Sequence, residues 1–221
     1  MFSDQVKLKH DAFNWFTIRH CRIQFVRIDL ESLCDVNFEH SIVDNFKLIL
    51  NKYASLTQIR SLQNSCLNKK VCQLEIKGNQ DPAVMEVLFS LLSSVRSLDI
   101  RESYLSPWIK HIKKIGPHLR DLSIVDVNVQ LTMIKTITEC CPYLEKLSFD
   151  YVSGGTVLKT IANNCSHLHS LDIKLKYDTS AEADADLIAF AEKCFQLEEL
   201  TLWCEELTDQ SVIALAQHCS R

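Results

Sequence analysis

From residue 71 onward the chain repeats one arrangement of apolar and polar positions. Six segments share the pattern apolar-x-x-apolar-x-apolar: Val71-x-x-Leu74-x-Ile76, Val95-x-x-Leu98-x-Ile100, Leu119-x-x-Leu122-x-Ile124, Leu144-x-x-Leu147-x-Phe149, Leu168-x-x-Leu171-x-Ile173 and Leu197-x-x-Leu200-x-Leu202. Their first positions lie 24, 24, 25, 24 and 29 residues apart. A chain that is 47% hydrophobic matches such a pattern often by chance, but not six times in near-constant register. The x-Leu-x-Ile end of each segment has the period of two expected of a strand with one buried face. Between the segments, apolar residues return at helical spacing. The faces are Val84, Val87, Leu88 and Leu91; Ile109, Ile112 and Ile115; Leu131, Ile134 and Ile137; Val157, Leu158 and Ile161; Leu187, Ile188 and Ala191; and Val212, Leu215 and Ala216. Asp81-Pro82, Ser106-Pro107 and Thr208 supply the capping and first-turn chemistry of helix starts. One strand plus one helix cannot bury a core alone, whereas stacked copies make a continuous one. The pattern predicts an α/β solenoid with parallel strands on the inner face and helices outside.

The later repeats also share cysteines. Cys141, Cys165 and Cys194 each stand three residues before the first leucine of their strand, and Cys219 would do so for a following repeat. The blocks CPYLEKLSFDYVSGGTVLKTIANNC, CSHLHSLDI and CFQLEELTLWCEELTDQSVIALAQHC resemble the cysteine-containing class of leucine-rich repeats. That class reads roughly C-x-x-L-x-x-L-x-L-x-x-C-x-x-I-T-D-x-x-L-x-x-L-A. The last repeat fits with Cys194, Leu197, Leu200, Leu202, Cys204, Leu207, Thr208, Asp209, Leu215 and Ala216 in place. Earlier repeats fill the second cysteine position with Gly78, Glu102, Asp126, Tyr151 and Leu175, so the subclass rests on the C-terminal half. The resemblance covers about residues 71–221. It implies a right-handed leucine-rich-repeat horseshoe of six repeats, with parallel strands on the concave face.

Residues 1–70 read as a divergent N-terminal cap or a junction region, because a solenoid end needs a different surface from its middle. Ile23-x-x-Val26-x-Ile28 lies 48 residues before Val71, twice the usual period, and reads as an earlier strand. Ser41 to Asn64 reads as helix, with Ile42, Phe46, Ile49, Leu50 and Tyr53 on its apolar face. No Leu-Pro start and three-helix pattern announces an F-box, although Trp15, Phe16 and the IDLESL run at 28–33 are faintly similar to the junction after one. At the other end the chain stops at His218-Cys219-Ser220-Arg221, where a further strand would begin and no polar cap follows. It therefore reads as a piece of a longer repeat protein, or as one whose last edge is covered by dimerisation.

Composition narrows the chemistry. The 221 residues carry 24 Lys+Arg against 28 Asp+Glu, a net charge of −4, which argues against the concentrated basic surface of a nucleic-acid binder. The four glycines, Gly78, Gly116, Gly154 and Gly155, fit neither G-x-G-x-x-G nor G-x-x-x-x-G-K, which excludes nucleotide enzymes of those classes. The N-terminus MFSDQVKLKHDAFNWF holds no signal-peptide core, and no apolar run approaches the roughly 20 residues needed to span a bilayer. Ten cysteines without a C-x-x-C then read as thiols in a reducing compartment, and the expected localisation is cytoplasmic, with the nucleus as a second compartment. Packing accounts for them as small hydrophobes at buried helix ends. Cys140-Cys141 and Cys165-x-His167-x-His169 are the candidate metal clusters, but His167 and His169 share a strand face with each other rather than with four converging ligands. His20-Cys21 and His218-Cys219 are sequence neighbours whose side chains diverge, and no G-x-S-x-G, H-E-x-x-H or calcium loop is present. No catalytic residue, cofactor or metal is expected.

What remains is a surface. Strand alternation exposes one column of Glu75, Asp99, Ser123, Ser148, Asp172 and Thr201, and a second of Lys77, Arg101, Val125, Asp150, Lys174 and Trp203. Four acids and three bases make a mixed field that suits a protein partner rather than nucleic acid or membrane. The candidate partner-binding residues are thus Glu75, Lys77, Asp99, Arg101, Asp150, Asp172, Lys174 and Trp203, with Trp203 either an interface anchor or packed against a loop or a further repeat. The resemblance implies the substrate-binding repeats of an F-box-type ubiquitin ligase adaptor, partnered by the small ligase linker protein through an F-box outside this chain. The alternatives are a stand-alone repeat scaffold without a ligase role, and a thiol- or metal-dependent enzyme suggested by the cysteine count.

Overall fold

The computed structural model describes residues 5–7, 16–19, 22–29, 36–39, 42–51, 54–57, 59–60, 69–102, 109–127, 129–153 and 155–219, with side chains from Phe46 onward. The chain divides into two compact units, Met1–Tyr104 and Leu105–Arg221. Each is an α/β arrangement built on an open sheet of parallel strands. Among the described residues no helix is long and apolar enough to cross a membrane.

In the first unit, β1 (Gln5–Lys7), β3 (Arg22–Asp29), β5 (Ile42–Leu50), β6 (Val71–Lys77) and β7 (Ser97–Arg101) lie in that order. A separate parallel pair joins β2 (Phe16–Arg19) to β4 (Val36–Glu39). Ile23, Val26 and Ile28 fall in β3, as their spacing predicts. The pairing also reveals a shorter period. Val6 stands opposite Val26 and Val26 opposite Phe46, while Phe16 stands opposite Val36, each a step of 20 residues. From β6 to β7 the step is 24, Leu74 against Leu98, because the connection now contains the helix α1 (Pro82–Leu91). Asp81 caps α1 by accepting the Ala83 N–H at 2.7 Å, and Pro82 opens it.

The helix expected over Ser41–Asn64 is overturned in its first half, since Ile42–Leu50 is the strand β5. Phe46, Leu48 and Leu50 alternate into the core and Ile49 is buried on the other face. Such a short apolar run fits both periods; its neighbours β3 and β6 decide it in favour of a strand. Helix begins only afterwards, at Leu56, Thr57, Ile59 and Arg60. Tyr53 and Asn64 lie outside the described residues, as do Trp15, His20, Cys21, Ser106, Pro107, Gly154, Ser220 and Arg221.

The second unit carries β8 (Asp121–Val125), β10 (Lys146–Ser153), β11 (Ser170–Lys176) and β12 (Glu199–Trp203) in one parallel sheet, with the short β9 (Val129–Gln130) pairing the end of β10. The predicted core columns are in register: Leu122, Leu147, Leu171 and Leu200 align, as do Ile124, Phe149, Ile173 and Leu202. Ile109, Ile112 and Ile115 are buried, but the segment Ile109–Lys114 is a 3₁₀ helix. Strict three-residue spacing keeps one face on a helix of three residues per turn, and Pro117 bars α geometry just beyond it. The α-helices that follow are α2 (Leu131–Cys140), α3 (Val157–Asn164), α4 (Ser180–Ala191) and α5 (Asp209–His218), each packed on the next.

Cysteines terminate these turns. The N–H groups of Cys141, Cys165, Cys194 and Cys219 donate to the carbonyls of Ile137, Ile161, Phe190 and Leu215. The Cys165 thiol then donates to the Cys141 carbonyl at 3.7 Å, and that of Cys219 to the Cys194 carbonyl at 3.8 Å. Gly116 occupies the same place one repeat earlier, pressed against the backbone of Cys140.

The 29-residue repeat differs because α4 has 12 residues where α3 has 8. Its middle holds two buried aspartates. Asp186 accepts the Leu158 and Lys159 N–H groups, both at 2.8 Å, and the Tyr177 hydroxyl at 2.7 Å, and so caps α3. Asp184 accepts the Thr208 N–H at 3.0 Å and the hydroxyls of Thr208 and Ser211, and so holds in place Thr208, whose own hydroxyl caps α5 by accepting the Gln210 N–H at 3.3 Å. The Ser211 and Thr208 hydroxyls, with the Thr208 N–H, hold the Asp184 carboxyl below its ordinary value. One helix thereby satisfies the free amides of the helix before it and fixes the capping residue of the helix after it.

Candidate functional site

The parallel register sorts the predicted surface residues. In the second unit Ser123, Ser148, Asp172 and Thr201 align across the four strands, with Asp172 and Thr201 exposed. One row further Lys174 faces Trp203, a residue 64% exposed, and the Lys174 ammonium lies 5.7 Å from the ring centroid. That distance is a cation–π contact. Asp172, Lys174 and Trp203 are therefore brought together as expected exposed neighbours.

Asp150 leaves the row. The β10–β11 register shifts between Phe149 and Val152, so Asp150 and Tyr151 bulge where one residue would stand. The Asp150 carboxylate accepts the Asp126 N–H at 2.7 Å, holding Asp126 in a left-handed turn at φ 57°. Its role in the strand face is thus turn support, and Tyr151, which fills the second cysteine position of its repeat, is exposed at the bulge. Tyr151, Lys174, Leu175, Trp203, Cys204 and Glu206 line an open groove of about 650 Å³ beside the strand ends.

In the first unit Glu75 aligns with Asp99 and Lys77 with Arg101. Expected on the surface, Glu75 is instead buried at 4% exposure, because Lys47 and Lys77 reach its carboxylate at 2.6 and 2.9 Å. Burial alone would raise its pKa; the two ammonium groups outweigh that and bring it down to about 2. A carboxylate held this way stabilises the fold fully above pH 4.5, and the contribution is lost as the pH falls toward 2. Between those limits the first unit is expected to lose about 2 kcal/mol after allowance for screening at the part-exposed lysines. Glu75→Gln should flatten that slope in acid denaturation followed by circular dichroism. Asp99 and Arg101 form a two-pronged pair, with Arg101 Nη2 to Asp99 Oδ2 at 2.8 Å and Nε 3.1 Å from both oxygens.

No protein-family model and no curated protein matches this chain.

The remaining chemistry sits at the opposite strand ends of the second unit. The Arg120 guanidinium lies 5.2 Å from the Tyr143 ring centroid, and Tyr143 meets His167 at 5.7 Å. His167 thus stacks on tyrosine while the Cys165 sulfur turns inward to the Cys141 carbonyl, so Cys165, His167 and His169 do not converge. Among the described residues no three His, Cys, Asp or Glu side chains form a cluster able to hold a metal ion. Burial pushes the Cys165 and Cys194 thiols up to about 12 and raises Cys141 further; Cys140, Cys204 and Cys219 are also raised, by burial first. Thiols so shifted are poor nucleophiles at neutral pH.

Proposed function

We propose that the chain is a non-enzymatic protein-recognition module whose second unit presents the recognition surface on its strand face. The observation that carries this reading is the exposed group of Asp172, Lys174 and Trp203 on two adjacent rows, a mixed-charge surface with an aromatic anchor on hydrogen-bonded strands. Raised thiol pKa values weigh against a thiol enzyme. Together with the resemblance to cysteine-containing leucine-rich repeats, the surface supports a substrate-binding region of an F-box-type ubiquitin ligase adaptor, acting in the cytoplasm or nucleus. In that reading Lys77, Asp99 and Arg101 extend the contact surface in the first unit.

The test is a photo-crosslinking amino acid placed at Lys174 on the strand face or at Lys135, an exposed position of α2. Recognition by the strand face predicts discrete protein adducts from position 174 and none from 135. Equal labelling from both positions contradicts it. Co-purification of the ligase linker protein with full-length protein separates the adaptor from a stand-alone scaffold, and its absence favours the scaffold.

A further inference from the structure

We infer that the end face of the second unit, formed by β12 and α5, binds a second copy of this chain across a two-fold axis, with β12 pairing antiparallel to its counterpart. The inference goes beyond the recognition reading, which concerns the strand face, and stands apart from it.

The face is a core surface left uncovered. Seven and four residues before the repeat cysteines stand Ile134 and Ile137, Leu158 and Ile161, Leu187 and Phe190, and then Val212 and Leu215. The first three pairs are at most 1% exposed, whereas Val212 is 61% exposed and Leu215 only half-buried. The strands show the same break. Leu171 and Ile173 are buried, but their partners Leu200 and Leu202 in β12 are half-buried. Leu197, Leu200, Val212, Leu215 and Ala216 line one apolar groove of about 330 Å³, with Glu198 its one charged lining residue. Each earlier copy of this surface is covered by a repeat of this chain, so the chemistry that fits it is the chain's own.

Backbone and charge make the face complementary to itself. The Glu199 N–H donates to the His169 carbonyl and so points toward β11. Alternation then turns the N–H and C=O groups of Leu200 and Leu202 to the side of β12 that has no neighbouring strand among the described residues. A two-fold axis through Thr201 sets Leu200 opposite Leu202 of the second copy, and each such pair exchanges two hydrogen bonds. No proline, lysine or bulge in Glu199–Trp203 blocks that edge. The same axis sets Glu199 opposite Trp203 of the second copy, in the row of Lys174, rather than against a second glutamate. Because the axis is normal to the sheet, both helix layers stay on one side, and Val212 and Leu215 meet their counterparts. Helix α5 carries ionisable side chains only at its ends, Asp209 and His218, and an antiparallel copy brings each Asp209 toward the other His218.

The test is sedimentation velocity of the whole chain under reducing conditions, each variant's fold being checked by near-ultraviolet circular dichroism. The chain should pass from monomer to dimer as its concentration rises and go no further. Val212→Lys should weaken the dimer about thirtyfold. Ile213→Lys, the same change one residue on, should alter it less than about threefold, because earlier helices carry the exposed Lys135 and Lys159 at that position. Thr201→Cys should form a disulfide-linked dimer on mild oxidation, since a residue on the axis meets its own copy within disulfide reach. Asp172→Cys, one strand further in, and the unsubstituted chain should not. A monomer at every concentration, or equal losses with Val212→Lys and Ile213→Lys, overturns the inference. So do assemblies that grow beyond the dimer, which assign the face to head-to-tail stacking, and a dimer that Thr201→Cys fails to link. One-to-one binding of a peptide of residues 194–219 by a chain that stays monomeric assigns the face to a further parallel repeat instead. Crosslinking from position 174 reads the recognition proposal separately, and adducts there from a monomeric chain leave it standing.

Discussion

Replacing Asp186 by alanine should cost the second unit about 4 kcal/mol and expose the start of α3 to exchange. The carboxylate is buried and accepts three hydrogen bonds, from the Leu158 and Lys159 amides and the Tyr177 hydroxyl. Alanine removes all three acceptors and leaves two helix-terminal amides and a buried phenol without partners. Each orphaned group costs about 1–3 kcal/mol, and loss of an N-cap about 1 kcal/mol. Asp186→Asn keeps the shape but turns an acceptor into a donor, so an intermediate loss of about 2 kcal/mol is expected. Urea denaturation measures the totals. Hydrogen exchange locates the effect: protection should fall first at Leu158 and Lys159, and unchanged protection there would exclude the capping role. The Tyr177 phenol, pushed up by burial and by its bond to Asp186, should return toward its ordinary titration range in the alanine variant.

Gly116→Ala should destabilise the same unit by about 3 kcal/mol, even though the substitution adds one methyl group. A Cβ at this position would stand 2.3 Å from the Cys140 carbonyl oxygen, 2.9 Å from its carbon and 3.0 Å from the Cys141 sulfur. The first two atoms are backbone at the end of α2 and cannot swing aside. Gly116→Cys, which would extend the cysteine pattern to an earlier repeat, should do at least as much harm. Gly155→Ala is the control: the nearest atom to its Cβ is 3.8 Å away, and the expected change is within about 0.5 kcal/mol. Thermal melts of the three variants decide the matter, and equal melting temperatures for Gly116→Ala and Gly155→Ala would refute the steric account.

Much of this architecture was legible from residue order. The 24-residue spacing located β6, β7, β8, β10, β11 and β12, and the cysteines three residues ahead of the leucines marked the turns they terminate. Spacing works there because one buried position recurs in every repeat. The first 50 residues hid their order, since their repeat is a shorter motif at a different period. Val6-Lys7-Leu8, Val26-Arg27-Ile28 and Phe46-Lys47-Leu48 recur every 20 residues without the leucine framework. Ile42, Phe46, Ile49 and Leu50 meanwhile imitate a helical face.

The candidate surface was legible wherever alternation held. Asp172, Lys174 and Trp203 follow it, and the structure exposes them. Glu75 departs because two lysines, one of them 28 residues away in sequence, fold over it. Asp150 departs because a bulge, invisible to any count of two, turns it toward Asp126. Both exceptions depend on partners that only the tertiary fold supplies. The same is true of Asp184 and Asp186, which look in sequence like ordinary polar residues of a helix.

The two aspartates of α4 also bear on how such a chain can change over generations. A repeat array grows and shrinks when a unit is copied or lost whole, which requires each unit to be self-sufficient at its borders. The unit containing α4 is not: it caps the helix before it through Asp186 and holds the capping Thr208 of the helix after it through Asp184. Deleting it strands both neighbours, and a second copy inserted beside it would bring aspartates with no matching amides to receive. Removing or copying that unit is therefore expected to cost more stability than the same change at a junction without such crossing bonds.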